Sequence, residues 1–320
     1  MQIPAINEIR RAQTLARSVM PVTPTYTWPL LNARAGADVW LKHENHSPVG
    51  AFKLRTATVY LDWLRREHPE IRGVVAATRG NYGQGVAAAA TNLGWAATIV
   101  VPFGNSKEKN RAMRALGAEL LECGEDFQAA NEYATELSGA RGLHKVPSFA
   151  PLLAAGTAAY ALEMLEAAPE LERVYVPVGM GSSVCGFVAA REALGLKTKI
   201  VGVTARAAPA TALSFAAGRV VPHAVAPTLA DGLACRLPDE AALGVMLKYV
   251  ERIVEVDEEE IAAAMRAIFE DTHNVAEGAG AAAVAAVLQE RDAVAGKRVG
   301  AVITGGNVDR EVFAKVLGEA

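Results

Sequence analysis

Cysteine is scarce in this chain: three among 320 residues, Cys123, Cys185 and Cys235, far apart and with no Cys-x-x-Cys pair. Such spacing excludes a disulfide scaffold and a thiolate zinc site, and it fits reduced thiols in a cytoplasmic protein. No charge of one sign dominates. The net charge is −3 and no basic stripe stands out, which disfavours nucleic acid and acidic membrane partners. Long hydrophobic runs are also missing. The longest, Val86 to Val101, is broken by Thr91, Asn92, Gly94 and Trp95, and is too short to span a bilayer. The N-terminus has no basic start and no apolar core, so no signal peptide is expected. What is plentiful is apolar material. Hydrophobic residues make up 51% and charged residues 21%, enough for a sizeable core.

That material is arranged as short β-rich runs alternating with helical patterns. Strands are expected at Val74–Ala77, Ala97–Val101, Ala118–Glu122, Val174–Val178, Lys199–Val203 and Gly300–Ile303. Helices are expected at Gly83–Leu93, from the Ser106 cap to Leu116, near Phe127–Leu137, at Leu152–Ala167, from about Val184, and from Asp257 to Glu270. Acidic residues 257–260 open the last of these, which suits the helix dipole. Continuous apolar strands separated by helices point to a parallel, doubly wound α/β architecture. No repeat, low-complexity tract or long linker is present. A small domain over residues 70–148, inserted into a large one made of 1–69 and 149–320, would account for two unequal strand–helix series.

One lysine draws attention. Lys53 lies in Ser47-Pro48-Val49-Gly50-Ala51-Phe52-Lys53-Leu54-Arg55, with apolar residues on its N-terminal side. A lysine amine becomes a nucleophile toward a carbonyl only when desolvation lowers its pKa from about 10.4. The plain alternative is a surface lysine with a buried stem. About one βα unit later comes Thr78-Arg79-Gly80-Asn81-Tyr82-Gly83-Gln84-Gly85. A third run, Val178-Gly179-Met180-Gly181-Ser182-Ser183-Val184-Cys185-Gly186, follows a strand and opens a helix, where unpaired N–H groups can receive a phosphate. It is neither a Walker A loop nor a good GxGxxG, and an ordinary βα turn is the competing reading. A fourth, Thr304-Gly305-Gly306-Asn307, also ends a strand. Ligands in open α/β sheets sit at the carboxyl ends of strands, so three of these runs can converge on one crevice.

Taken together, the four runs resemble the serine/threonine dehydratase branch of the fold-type II pyridoxal 5′-phosphate (PLP) enzymes, the group that also contains serine racemase and catabolic threonine dehydratase. The resemblance extends from about Thr23 to Asn307. It implies an α/β fold like the tryptophan synthase β chain, with two doubly wound open-sheet domains and the cofactor in the cleft between them. It implies a PLP-dependent ammonia-lyase that removes water and ammonia from a β-hydroxy amino acid (threonine, serine, 3-hydroxyaspartate or phenylserine), giving a 2-keto acid. Lys53 resembles the lysine that holds PLP covalently and moves the α-proton. Phe52 resembles the residue packed beside the ring, and Asn81 the partner of the ring's 3′ oxygen. Gly179, Met180, Gly181, Ser182 and Ser183 resemble the phosphate cradle. Thr304 resembles the partner of the pyridine nitrogen. Thr78, Gly80, Asn81, Tyr82 and Gly83 resemble the loop for the substrate carboxylate. Asp231, Gly232 and Glu277 match family segments near the site and are given supporting roles. A homodimer is also implied. A hydroxyl such as that of Thr304 cannot hold the ring nitrogen protonated, which favours elimination over amino transfer.

The chain departs from the family at several points. Arg79 stands where serine racemase has a serine that acts as a base on the opposite face, and a permanently charged guanidinium cannot serve there. Dehydration without racemisation is therefore expected. Arg79 either receives a second substrate carboxylate, for which its fork is suited, or turns outward or to a protein acid. Tyr82 replaces a histidine and adds an aromatic wall. In Gly202–Ala210, which matches the divalent-cation segment of serine racemase, both acids are missing and Arg206 is present, so no metal site is expected. The chain ends soon after Asn307, so the regulatory domain of biosynthetic threonine dehydratase is not expected.

Several residues read as structural. The six histidines show no metal spacing, and His43 and His46 read as surface or capping residues. Cys185 reads as a packing residue, and Lys107-Glu108-Lys109-Asn110-Arg111 as a solvated helix face. Three other functions stay open: β-replacement as in cysteine synthase, amino-acid racemisation, and a non-catalytic nucleotide or phosphate binder on an α/β scaffold. Lys53-Leu54-Arg55 and Asn81-Tyr82 argue against the first, since that group has Lys-Asp-Arg and Asn-Thr there.

Overall fold

The computed structural model describes residues 2–318. Ten strands are distributed over two sheets. In chain order they are β1 (Thr25–Thr27), β2 (Asp38–His43), β3 (Gly73–Ala77), β4 (Ala96–Val101), β5 (Glu119–Glu122), β6 (His144–Lys145), β7 (Arg173–Pro177), β8 (Lys199–Ala205), β9 (Arg252–Val256) and β10 (Arg298–Ile303). The larger sheet has the order β1-β2-β10-β7-β8-β9, and the smaller has the order β5-β4-β3-β6. All neighbours pair in parallel except β1 with β2, an antiparallel edge. The smaller sheet is drawn wholly from residues between Gly73 and Lys145.

Each expected strand and helix is present within a few residues of its expected bounds. Local chemistry explains several boundaries. Ser106 caps the helix Lys107–Ala115 by accepting from the Lys109 N–H, and Asp257 closes a capping box with Glu260 at the start of Glu258–Thr272. β1, β2, β6 and β9 carry no clear strand signal. In β2, Lys42 and His43 look like surface residues, yet both are fully buried because tertiary partners receive them.

Helices cover both faces of the sheets. One apolar cluster joins β10 and β8 to the helices Glu258–Thr272 and Gly278–Gln289, and another joins β7 to Pro151–Ala167 and Ser182–Leu194. The helix Lys53–Glu67 packs with the smaller sheet, sharing a cluster with Val74, Ala76, Val86 and Ile99. It therefore spans the seam between the sheets with Lys53 at its first position. Gly85 allows this. A side-chain carbon there would fall 2.6 Å from the Lys53 carbonyl oxygen, so the helix Asn81–Asn92 meets Lys53 backbone to backbone.

Candidate active site

β10 and β7 are adjacent in the larger sheet, so the turns after them, at Thr304 and Gly179, open side by side. The β3 turn at Thr78 approaches from the smaller sheet. Three contacts bring the runs together: the Phe52 N–H donates to the Thr304 carbonyl at 3.1 Å, Ala51 bridges to Gly305, and Asn307 Nδ2 donates to Asn81 Oδ1 at 2.9 Å.

The Lys53 amine projects into this cleft. Its nitrogen is 4.6 Å from the Phe52 ring centre and 5.4 Å from that of Tyr82. No hydrogen bond or ion pair holds it among the described residues. Burial pulls its pKa down to about 8, against the opposing pull of Glu277. A minority of the amine is thus neutral near physiological pH, far more than for a solvated lysine, and the neutral form is the one that covalent capture of an aldehyde requires.

Two helices point uncapped N-termini at the cleft. The Ser182–Leu194 helix has Gly181 at its N-cap, with φ +98, a backbone state that favours glycine, and no side chain caps its first turn. Ser182 and Ser183 are buried there, and the Thr157 hydroxyl donates to the Ser182 carbonyl at 2.6 Å. Gly179 lies against the Gly232 carbonyl, and Met180 turns its sulfur to Cys235 at 3.3 Å, so both offer backbone to a ligand. The Asn81–Asn92 helix begins behind Gly80, again uncapped, and the Gly80 N–H donates to the Thr78 hydroxyl at 3.0 Å. Such a pair of N-termini suits two anions.

Asn81 is held at both ends. Its amide nitrogen donates to Glu277 and its oxygen accepts from Asn307, which leaves one N–H free. Tyr82 is buried and donates to the Pro147 carbonyl at 2.6 Å, and burial drives its phenol pKa up. Gly83 packs against Met113, Thr78 and Ile99. The buried Thr304 hydroxyl has only a long contact, 3.4 Å to the Ala279 carbonyl, and so is available to a partner. Arg79 is exposed and has no polar partner among the described residues.

Two expectations change. Lys109 does not belong to a solvated helix face. It is buried, donates to Asp231 Oδ2 at 2.7 Å and stands 3.3 Å from Glu277 Oε2. Burial works against its charge, but Glu277 and Asp231 hold its pKa above the usual ammonium range. Neighbouring Asn110 is buried too. Among Lys107, Lys109 and Arg111, nothing local separates the inward residue from the others except the amphipathic phase of the helix. Likewise His43 is fully buried, with Nε2 accepting from Trp28 Nε1 at 3.1 Å, and burial beside His46 lowers its pKa to about 3. His46 is exposed and pairs with Asn274 at 2.6 Å.

The donor set fits PLP: a partner-free amine beside an aromatic ring, an uncapped helix start for a phosphate, a free amide N–H and a free hydroxyl. The pyridoxal-phosphate dependent enzyme model matches residues 18–305. L-threonine ammonia-lyase of Thermotoga maritima is 37% identical over 313 residues, covering 98% of this chain and 78% of that protein. L-threo-3-hydroxyaspartate ammonia-lyase of Saccharomyces cerevisiae is 29% identical over 318 residues, covering 99% and 97%. Among solved structures, maize serine racemase superposes with a TM-score of 0.91 at 26% identity, covering 99% and 98%. The fold and site define a fold-type II PLP-dependent lyase. The chain belongs to the pyridoxal-phosphate dependent enzyme family, in its serine/threonine dehydratase branch, and its reaction class is β-elimination from a hydroxy amino acid.

Proposed function

We propose that the cleft dehydrates and deaminates a small β-hydroxy amino acid, with L-threonine or L-serine, 3-hydroxyaspartate and phenylserine as the candidates. The observation that carries this is the Lys53 amine: half-buried, held by no hydrogen bond or ion pair among the described residues, lowered to a pKa of about 8, in a cleft with two uncapped helix starts. Bound PLP supplies an electron sink at the substrate α-carbon. The chain's own residues do the rest. Lys53 would hold the cofactor, and its amine, once free, would take the substrate α-proton at Nζ. Backbone N–H groups of residues 80–83 orient the substrate carboxylate, with Thr78 bracing the turn. Gly179 to Ser183 would hold the phosphate, Phe52 and Tyr82 would wall the pocket, and Asn81 and Thr304 would meet the polar edges of the ring. Loss of the α-proton and departure of the β-hydroxyl as water leave an enamine, and water then releases ammonia and the 2-keto acid.

Arg79 bears on the racemase alternative. It offers no neutral base on the face opposite Lys53, so net elimination is expected without a D-enantiomer accumulating. The reading also places the protein in the cytoplasm, in line with its free cysteines. A homodimer is part of it, supported by exposed Val22, Tyr26 and Leu30 around the β1 edge. The division into residues 70–148 and the remainder is also part of it, supported by a smaller sheet drawn from residues between Gly73 and Lys145. The test is a substrate panel of L-serine, L-threonine, 3-hydroxyaspartate and phenylserine, with keto acid and ammonia measured. Stoichiometric keto acid and ammonia from at least one is expected. A PLP-containing protein that releases neither from any of the four would overturn the proposal.

A further inference from the structure

Lys109 reaches across the cleft from the side of the smaller sheet. Its stem fills the place that a side chain on Gly80 would take, and its ammonium meets Asp231 and Glu277. Glu277 is 3% exposed. A carboxylate buried to that extent takes up a proton unless a cation faces it. Four groups face Glu277: Lys109 from the helix Lys107–Ala115, Asp231 from the turn Asp231–Leu233, Asn81 from the start of the helix Asn81–Asn92, and Lys53. Asp231 is a like charge and Asn81 is neutral. Lys53 must be neutral when it acts as a base. Lys109 is therefore the standing counter-charge among the described residues. Burial pushes Glu277 toward protonation, Lys109 opposes this and Asp231 adds to it.

The charge state matters because of Asn81. An ionised Glu277 only accepts, so the Asn81 nitrogen must face it, and the remaining N–H is free. A protonated Glu277 is a donor and favours the reversed amide, which would turn an oxygen toward the ligand instead. Asn307, which donates to both Asn81 Oδ1 and the Val49 carbonyl, would have to give way as well.

We propose that Lys109 is a positioning residue: by keeping Glu277 ionised, it fixes the Asn81 amide so that its free N–H faces the bound cofactor. This rests on the reading of Asn81 as a cofactor contact. Apo protein is titrated with PLP by absorbance across a pH series, for wild type, Lys109→Met, Lys109→Gln, Lys109→Arg, Glu277→Gln, the Lys109→Met/Glu277→Gln pair and Asn81→Ala. With Lys109 neutralised, affinity should fall on acidification at a pH about one unit higher than in wild type, and be about tenfold weaker in that window. Lys109→Arg should restore the wild-type profile. Lys109→Met should leave the profile of Glu277→Gln unmoved, because nothing then titrates at position 277. An unshifted profile in the neutral variants, even with a lowered melting temperature, would overturn the inference. So would a shift that persists in the Glu277→Gln background, which would mean that Lys109 acts on Lys53 directly. Asn81→Ala separates the two readings. If it binds PLP as wild type does, the cofactor contact itself is wrong. If it is weakened while the Lys109 series shows no pH shift, only the role of Lys109 fails.

Discussion

Lys53 and Arg55 lie on the same turn of one helix, yet their environments are opposite. Lys53 is half-buried, and no hydrogen bond or ion pair holds its amine among the described residues, although Glu277 pulls on its charge. Arg55 is fully buried between two carboxylates, with its Nε 2.9 Å from Glu44 and its Nη2 2.9 Å from Glu163. Lys42 completes that lower cluster, 2.8 Å from Glu163 and from the Thr23 carbonyl. Burial favours a neutral Glu163, but Arg55 and Lys42 overcome it and hold the carboxyl below its usual range. The contrast shows that pairing, rather than burial alone, decides what a buried cation does. Paired on all sides, it is a fixed charge that joins β2 to the helices Lys53–Glu67 and Pro151–Ala167. Left unpaired, it becomes a base. The lower cluster also anchors the turn from which Lys53 projects.

Removing the reactive member should have the largest effect. Lys53→Ala should lower turnover by about 10⁴-fold or more, while the circular dichroism melt stays near wild type. Near-native turnover would undo the assignment of the base. Breaking the lower cluster should do the reverse. Arg55→Met leaves Glu44 and Glu163 without their main partner and should cost roughly 3–5 kcal/mol in denaturant unfolding. Lys42→Met combined with Glu163→Leu leaves the Arg55–Glu44 pair intact and should cost less than Glu163→Leu alone, a non-additivity that a double-mutant cycle reads directly. If both single losses simply added, the four charges would not be acting as one unit.

Gly85→Ala forces the Asn81 helix away from the Lys53 backbone. A loss of about 1–3 kcal/mol is expected, with a fall in PLP affinity. Unchanged binding would mean that the close approach does not position the lysine. The smallest effect is one of pH. Because the pKa of Lys53 is lowered to about 8, capture of PLP by apo protein should be fastest above that pH, and the neutral fraction should fall tenfold per unit below it. A midpoint near 10 would show an ordinary, solvated lysine.

Much of the cleft was legible in the chain because its parts are local: a glycine-rich helix start, a lysine after an apolar run, a threonine ending a strand. Lys109, Lys42 and His43 were not. Their side chains look like surface groups, and only partners distant in sequence make their burial tolerable, Asp231 and Glu277 for the first, Glu163 for the second and Trp28 for the third. β2 was missed for the same reason, since a buried lysine at its end broke the apolar pattern.

Alternation of apolar runs, turn residues and caps set the two-sheet α/β architecture, and the order of four short motifs set the cofactor chemistry, because both depend on neighbours within a few residues. Tertiary structure decided which buried charges meet. A buried ammonium and carboxylate satisfy each other only when the fold brings them into contact, and the residues concerned are more than a hundred positions apart in the cases of Lys109 with Asp231 and Lys42 with Glu163.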